Sequence, residues 1–140
     1  MQRVNIKEYP ISPMNVSIIV PSYNQGPYIR ECIESLLRQP IKIEIFVFDS
    51  DSSDGTAEIL KDYVGKLDFF IEKDLGQSHA INKGLEKARG DILGYLNSDD
   101  TLLSDSIGKV LDFWAEHPDT DLLYGKAHYI DEHSRVIGDY

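Results

Sequence analysis

From Val16 onward, short apolar runs rich in β-branched and aromatic residues alternate with stretches whose apolar positions recur every three to four residues. The short runs, Val16 to Val20, Ile43 to Phe48, Leu67 to Glu72, Asp91 to Leu96 and Asp121 to Tyr124, predict five strands. Between the first two, Tyr28, Ile29, Cys32, Ile33, Leu36 and Leu37 form one apolar helical face, closed near Pro40. A second helix carries Ile59, Leu60, Tyr63 and Val64 and is expected to end near Gly65, with Ser53-Asp54-Gly55 capping its start. Ala80, Ile81, Leu85 and Ala88 mark a third, stopped by Gly90, and Ile107, Val110, Leu111 and Trp114 a fourth, stopped around Pro118. The order is βαβαβαβαβ. Right-handed crossovers between parallel strands then give an α/β, doubly wound, mostly parallel sheet with helices on both faces. In such sheets ligands bind beyond the carboxyl ends of the strands.

Composition narrows the picture. At 140 residues and 41% hydrophobic, the chain suits one compact domain. Residues 1–14, with Pro10 and Pro13, read as a polar lead-in, and the domain proper spans 15–140. The lead-in has no apolar run like that of a signal peptide, and no later segment approaches the roughly 18 apolar residues of a membrane span. The expected address is the cytoplasm, with a peripheral place at the inner face of the membrane compatible. Cys32, the single cysteine, cannot form an intramolecular disulfide and falls on an apolar helical stripe, so it reads as core. With 24 acidic against 14 basic residues and no Lys/Arg cluster, nucleic acid is excluded as a partner. An acidic chain can still hold a phosphorylated ligand if a divalent cation screens the phosphates.

The strand ends carry the candidate chemistry. The first runs into Pro21-Ser22-Tyr23-Asn24-Gln25-Gly26, which offers an aromatic ring to a flat base or else a turn with Asn24 capping the next helix. After the second strand, Asp49, Asp51 and Asp54 crowd three carboxylates into six residues. A calcium loop would want Gly and Glu where Asp54 and Leu60 stand. Asp54 suits a helix cap, while Asp49, beside the strand, is better placed to face a ligand. The third strand leads to Asp74-Leu75-Gly76-Gln77-Ser78-His79. His128 and His133 near Asp131 match no zinc spacing, and their segment reads as a β-turn. The fourth strand runs directly into Asn97-Ser98-Asp99-Asp100. Hard cations such as Mg2+ and Mn2+ are commonly held at diphosphates by one or two carboxylates. The competing reading is that Asp99 and Asp100 cap the helix beyond Thr101.

Taken together, Val16 through Asn24, Phe48-Asp49 with Asp54-Gly55-Thr56, Gly76 through Gly84, and Leu96 through Asp100 resemble family 2 glycosyltransferases, which have the Rossmann-like GT-A fold. Four motifs lie in register across residues 15–125. The resemblance implies that Pro21 and Tyr23 pack against a nucleotide base and that Asp49 reads its edge. It implies further that Gln77 lies in a loop closing over the nucleotide, that Asp99 contacts the ribose, and that Asp100 coordinates Mn2+ or Mg2+ at the diphosphate. Ser50 stands where many members carry a second Asp, and Ile81 where many carry Arg.

The expected activity is metal-dependent, inverting transfer of a sugar from a nucleotide-diphosphate sugar, a UDP-sugar favoured, to a hydroxyl of a glycan or glycolipid acceptor, in polysaccharide or glycoconjugate synthesis. Inverting members take their catalytic base from a later region, so the base is expected beyond Tyr140 and the chain is expected to be part of a longer enzyme. The alternative is a nucleotide-sugar-binding module without turnover. A receiver-like domain would want its acidic pair after the first strand, and a nucleotidyltransferase a glycine-rich basic loop there. Pro21-Ser22-Tyr23-Asn24 provides neither.

Overall fold

The computed structural model describes residues 14–140, so nearly all of the polar lead-in expected over 1–14 lies outside the described residues. The chain divides into two compact units, one ending at Gly108 and the other running from Lys109 to Tyr140.

In the first unit, β1 (Val16–Ser22), β2 (Glu44–Asp49), β3 (Asp68–Ile71) and β4 (Ile92–Tyr95) form one sheet in the order β3-β2-β1-β4. All three pairings are parallel, with Ile19 opposite both Phe46 and Tyr95. Helices α1 (Gly26–Leu37), α2 (Thr56–Lys61) and α3 (Gln77–Lys87) are the crossovers. Strand order runs one way from β1 to β3 and then reverses to reach β4. Right-handed crossovers therefore put α1 and α2 on one face and α3 on the other. The burial pattern agrees. Ile19, Phe46 and Phe48 cluster with Ala80 of α3 on one face. The alternate residues Ile18, Val20, Ile45 and Val47 point the other way and are buried too, as are Ile29, Ile33, Leu36 and Leu60 of α1 and α2. Cys32 is fully buried, as its place on the apolar stripe predicts.

Helix α3 lies unusually close to the sheet. A Cβ on Gly84 would collide with the side chain of Ile19. Helix α2 ends at Lys61, earlier than its apolar pattern suggests. Tyr63 and Val64 instead belong to a turn through Gly65, at φ +80°, and Val64 bridges to Leu67. Tyr63 is still buried, its hydroxyl donating to Glu34 at 2.9 Å.

Helix α4 (Ser106–Glu116) is followed by the largest departure from expectation. No strand forms over Asp121 to Tyr124, where Leu122 and Tyr124 are 80% and 87% exposed. The later strands are instead an antiparallel pair, β5 (His128–Ile130) and β6 (Val136–Asp139), forming their own two-stranded sheet. The turn expected around Asp131 is present. Its carboxylate accepts the His133 and Arg135 N–H groups and pairs with the Arg135 guanidinium at 2.7 Å.

Candidate active site

The sheet reverses its order beside β1, and the switch point of a doubly wound sheet opens a crevice there. A cavity of about 530 Å³ occupies that place. Pro21, Tyr23, Gln77 and Asp99 all line it, so four residues singled out from the sequence converge on one space. Ser22, Gln25, Ser50, Asp74, Asn97 and Ser98 complete most of its wall. Apart from Asn97 and Ser98 inside the acidic motif, and Ser50 where many family members carry Asp, these residues have no individual signal in the sequence beyond their position at strand ends.

Tyr23 is 62% exposed, a large ring presented to the cavity rather than packed away. Its neighbour Asn24 adopts φ +51°, a left-handed conformation that asparagine tolerates better than most residues. Asn24 does not cap α1. The N-cap position is Gln25, without a side-chain cap, and the Asn24 Oδ1 accepts from the Ser53 N–H at 3.0 Å. Capping falls to Asp54. One of its oxygens accepts from the Gly26 N–H at 2.8 Å, and the other from the Thr56 N–H and hydroxyl, so a single carboxylate serves the first residues of α1 and α2. The Thr56 hydroxyl, then the Gly26 N–H, hold this carboxyl below its ordinary range.

Asp49 is only 1% exposed and is not among the residues lining the cavity. Its Oδ1 accepts the Ser52 hydroxyl at 2.6 Å and its Oδ2 the Ser52 N–H at 2.9 Å. The neighbouring Ser50 lines the cavity instead.

On the other side, Gln77 is the first residue of α3, not part of a loop. Gly76 is the N-cap residue of this helix, with a φ of +109° that suits glycine, and the preceding turn is held by Asp74 accepting the Gly76 N–H and His79 accepting the Leu75 N–H. The Gln77 side-chain amide donates to Asn97 Oδ1 at 2.6 Å, and Asn97 Nδ2 donates to Asp100 Oδ2 at 3.2 Å. The Asp100 N–H closes the turn onto the Asn97 carbonyl at 3.0 Å. Neither Asp99 nor Asp100 caps a helix, because α4 begins only at Ser106. Beneath the turn, the Cys32 thiol donates to the Asn97 carbonyl at 3.4 Å. Burial, then the charges of Asp100 and Asp99, push that thiol up to about 12, so it stays protonated and unreactive.

Asp99 and Asp100 are both exposed, and Asp99 is in the cavity wall while Asp100 lies just beyond it. As a donor set they are hard oxygens only, which suits Mg2+ or Mn2+. Among the described residues no group of three His, Cys, Asp or Glu could hold a metal ion by itself. A cation here would therefore complete its shell from ligand phosphates and water, as Mg2+ commonly does at nucleotide sites. His128 and Asp131, far along the chain, are engaged elsewhere, with Asp139 and Arg135 respectively.

Among solved structures, the chain is similar to the Staphylococcus aureus protein TarS in complex with UDP-GlcNAc, at 30% identity and a TM-score of 0.68, over 75% of this chain and 32% of that one. It is equally close in shape to the mannosyltransferase PcManGT of Pyrobaculum calidifontis in complex with GDP-Man and Mn2+, at 28% identity and TM-score 0.68, over 76% of this chain and 34% of that one. Chondroitin synthase of Escherichia coli is 30% identical over a 141-position alignment that takes in 98% of this chain and 20% of that protein. The chain spans less than half the length of such relatives. The family model for "Glycosyl transferase family 2" matches residues 17–137, a span that contains all of the parallel sheet but Val16, together with the cavity and the acidic turn. With the strand ends, the cavity and the matched span in agreement, the chain belongs to glycosyl transferase family 2.

Proposed function

We propose that this chain forms the donor site of an inverting, metal-dependent glycosyltransferase that moves a sugar from a nucleoside-diphosphate sugar, a UDP-sugar by preference, to a hydroxyl of a glycan or glycolipid. The observation that carries the proposal is the single cavity that brings together Pro21, Tyr23, Gln77 and Asp99 at the switch point of the sheet. UDP-GlcNAc is bound in the TarS structure, and GDP-Man with Mn2+ in PcManGT, both at similar folds.

In this reading the Tyr23 ring and Pro21 pack on the base, and Asp99 takes a ribose hydroxyl. Asp49 reads the base edge with the acceptor sites that its two bonds from Ser52 leave free. Asp100 would hold Mn2+ or Mg2+, whose chemistry there is to neutralise the charge of the departing diphosphate. Asn97 orients the Asp100 carboxylate and ties it to Gln77 at the start of α3. The base that deprotonates the acceptor belongs to a later region of the full enzyme, and the whole acts in polysaccharide or glycoconjugate synthesis at the cytoplasmic side of the membrane. Among the described residues no helix is long and apolar enough to cross a membrane.

Titration calorimetry of the full-length protein with UDP, GDP and dTDP, with and without Mn2+, tests the proposal. Saturable binding strengthened by Mn2+ and strongest for UDP is expected. Absence of binding by every nucleotide in the presence of Mn2+ would sink it.

A further inference from the structure

The two loops that flank the Tyr23 side of the cavity are joined by hydrogen bonds that belong to neither helix nor sheet. The Asn24 N–H donates to Ser52 Oγ at 2.8 Å, while that same hydroxyl donates to Asp49 Oδ1 at 2.6 Å. In return Asn24 Oδ1 accepts the Ser53 N–H at 3.0 Å. The chain of contacts runs from a carboxylate buried at the end of β2, through one serine hydroxyl, to the residue that follows Tyr23. Two non-glycine residues in it or beside it, Asn24 and Asp51, sit at positive φ, +51° and +55°. Such conformations persist only where their surroundings hold them.

We infer that Ser52 and Asn24 are positioning residues: together they form a clasp that fixes the exposed Tyr23 ring at the cavity and aligns the Asp49 carboxylate at the end of β2. The inference rests on the nucleotide reading of the cavity. A ring that is 62% exposed has little packing of its own to set its direction, so the backbone on either side must do so. On one side that backbone is β1, hydrogen-bonded in the sheet through Ser22. On the other it is Asn24, held at both its N–H and its side chain by residues 52 and 53. Ser52 is the hinge of the arrangement, because its hydroxyl is donor to Asp49 and acceptor from Asn24 at once. Without that hydroxyl, Asp49 keeps only the Ser52 N–H among its side-chain contacts with this loop, and the two loops lose one of their two links at Asn24.

The positive φ of Asn24 offers a sharp test, because a glycine accepts that backbone at least as well as asparagine does. If Asn24 is present only for its backbone, Asn24→Gly keeps nucleotide affinity. If it is part of the clasp, Asn24→Gly weakens UDP binding about 10-fold, the scale of loss typical when a supporting partner of a binding group is removed. Asn24→Asp, which retains the acceptor for the Ser53 N–H, restores most of it. In parallel, Ser52→Ala loses affinity on the same scale and Ser52→Thr, which keeps the hydroxyl, recovers it. The experiment is calorimetry with UDP and Mn2+ on the full-length protein, with the thermal midpoint of each unliganded variant recorded alongside. Wild-type affinity in Asn24→Gly, or equal losses in Ser52→Ala and Ser52→Thr, overturns the clasp and leaves the nucleotide site standing. Absence of UDP binding by the wild type overturns both.

Discussion

Ser17 and Ser22 lie on the same strand, both buried, at opposite ends of the sheet, and they are treated in opposite ways. The Ser17 hydroxyl donates to Glu44 at 2.6 Å and accepts the Gly90 N–H at 2.9 Å. Glu44 in turn takes the Arg89 N–H and a forked pair of bonds from its guanidinium, the shorter at 2.6 Å. There is no space for a side chain at Gly90, where a Cβ would come within 2.6 Å of the Ser17 nitrogen. The Ser22 hydroxyl, by contrast, is buried with no partner among the described residues. A cavity opens at each end, about 640 Å³ beside Ser17 and about 530 Å³ beside Ser22. Volume does not distinguish them. At the Ser17 end the polar groups satisfy one another, which stabilises the fold; at the Ser22 end several are paired, but the buried Ser22 hydroxyl is not, and Tyr23 and Asp99 stay exposed at the cavity, which is what a ligand requires.

That contrast can be broken most severely at the acidic turn. Asp100→Ala is expected to lower glycosyl transfer by the full-length enzyme on the order of 100-fold or more, through lost stabilisation of leaving-group charge, with the thermal midpoint almost unchanged. Transfer measured against Mn2+ concentration checks it, and undiminished, Mn2+-dependent turnover would remove Asp100 from the metal site. Next comes the serine pair. Ser17→Ala should cost about 1–3 kcal/mol by leaving the Gly90 N–H and Glu44 short of a partner, whereas Ser22→Ala should stay within about 0.5 kcal/mol of wild type. Urea unfolding of the two variants side by side would show it, and equal costs would erase the distinction between the ends. Tyr23→Ala is expected to weaken UDP binding about 10-fold through lost stacking. Its stability should hold, since the ring is exposed.

The smallest effect concerns pH. Burial pushes the Glu44 carboxyl up, but the Ser17 hydroxyl and Arg89 together hold it below its ordinary value. A carboxyl lowered in the folded state contributes stability that is complete above its unfolded pKa and is lost as pH falls through the folded one. Glu44→Gln should therefore lower the thermal midpoint by a few degrees at pH 7. The gap should narrow in acid, below the ordinary carboxylate range. A gap that widens in acid would contradict the assignment.

Much of this was legible in the residues. β1 and β2 follow their apolar runs because strands buried on both faces must read that way. The edge strands β3 and β4 are more exposed but keep their apolar runs, and the end of each run marks the rim of the cavity. The acidic turn and Tyr23 could be placed for the same reason. What failed did so where local pattern is a poor guide to burial. Asp121 to Tyr124 looks like a strand, yet its large side chains lie in solvent, and β5 and β6 are three- and four-residue strands with largely exposed side chains and hence little periodicity to detect. Asp49 could be placed at a strand end, but not its engagement by Ser52, because that depends on how the next loop folds back. Gln77, expected in a loop, is instead the first residue of α3, because the glycine before it precedes a helix rather than ending one.

Gly84 gives the cavity its proportions from a distance. Because no methyl group separates α3 from Ile19, the helix lies flush on the sheet, and Gln77 at its head is brought within reach of Asn97. A side chain at position 84 would act as a shim, lifting the helix and widening the gap between Gln77 and the acidic turn. The fit of the site to a ligand is thus calibrated by an atom the chain omits, about two helical turns along α3 from Gln77.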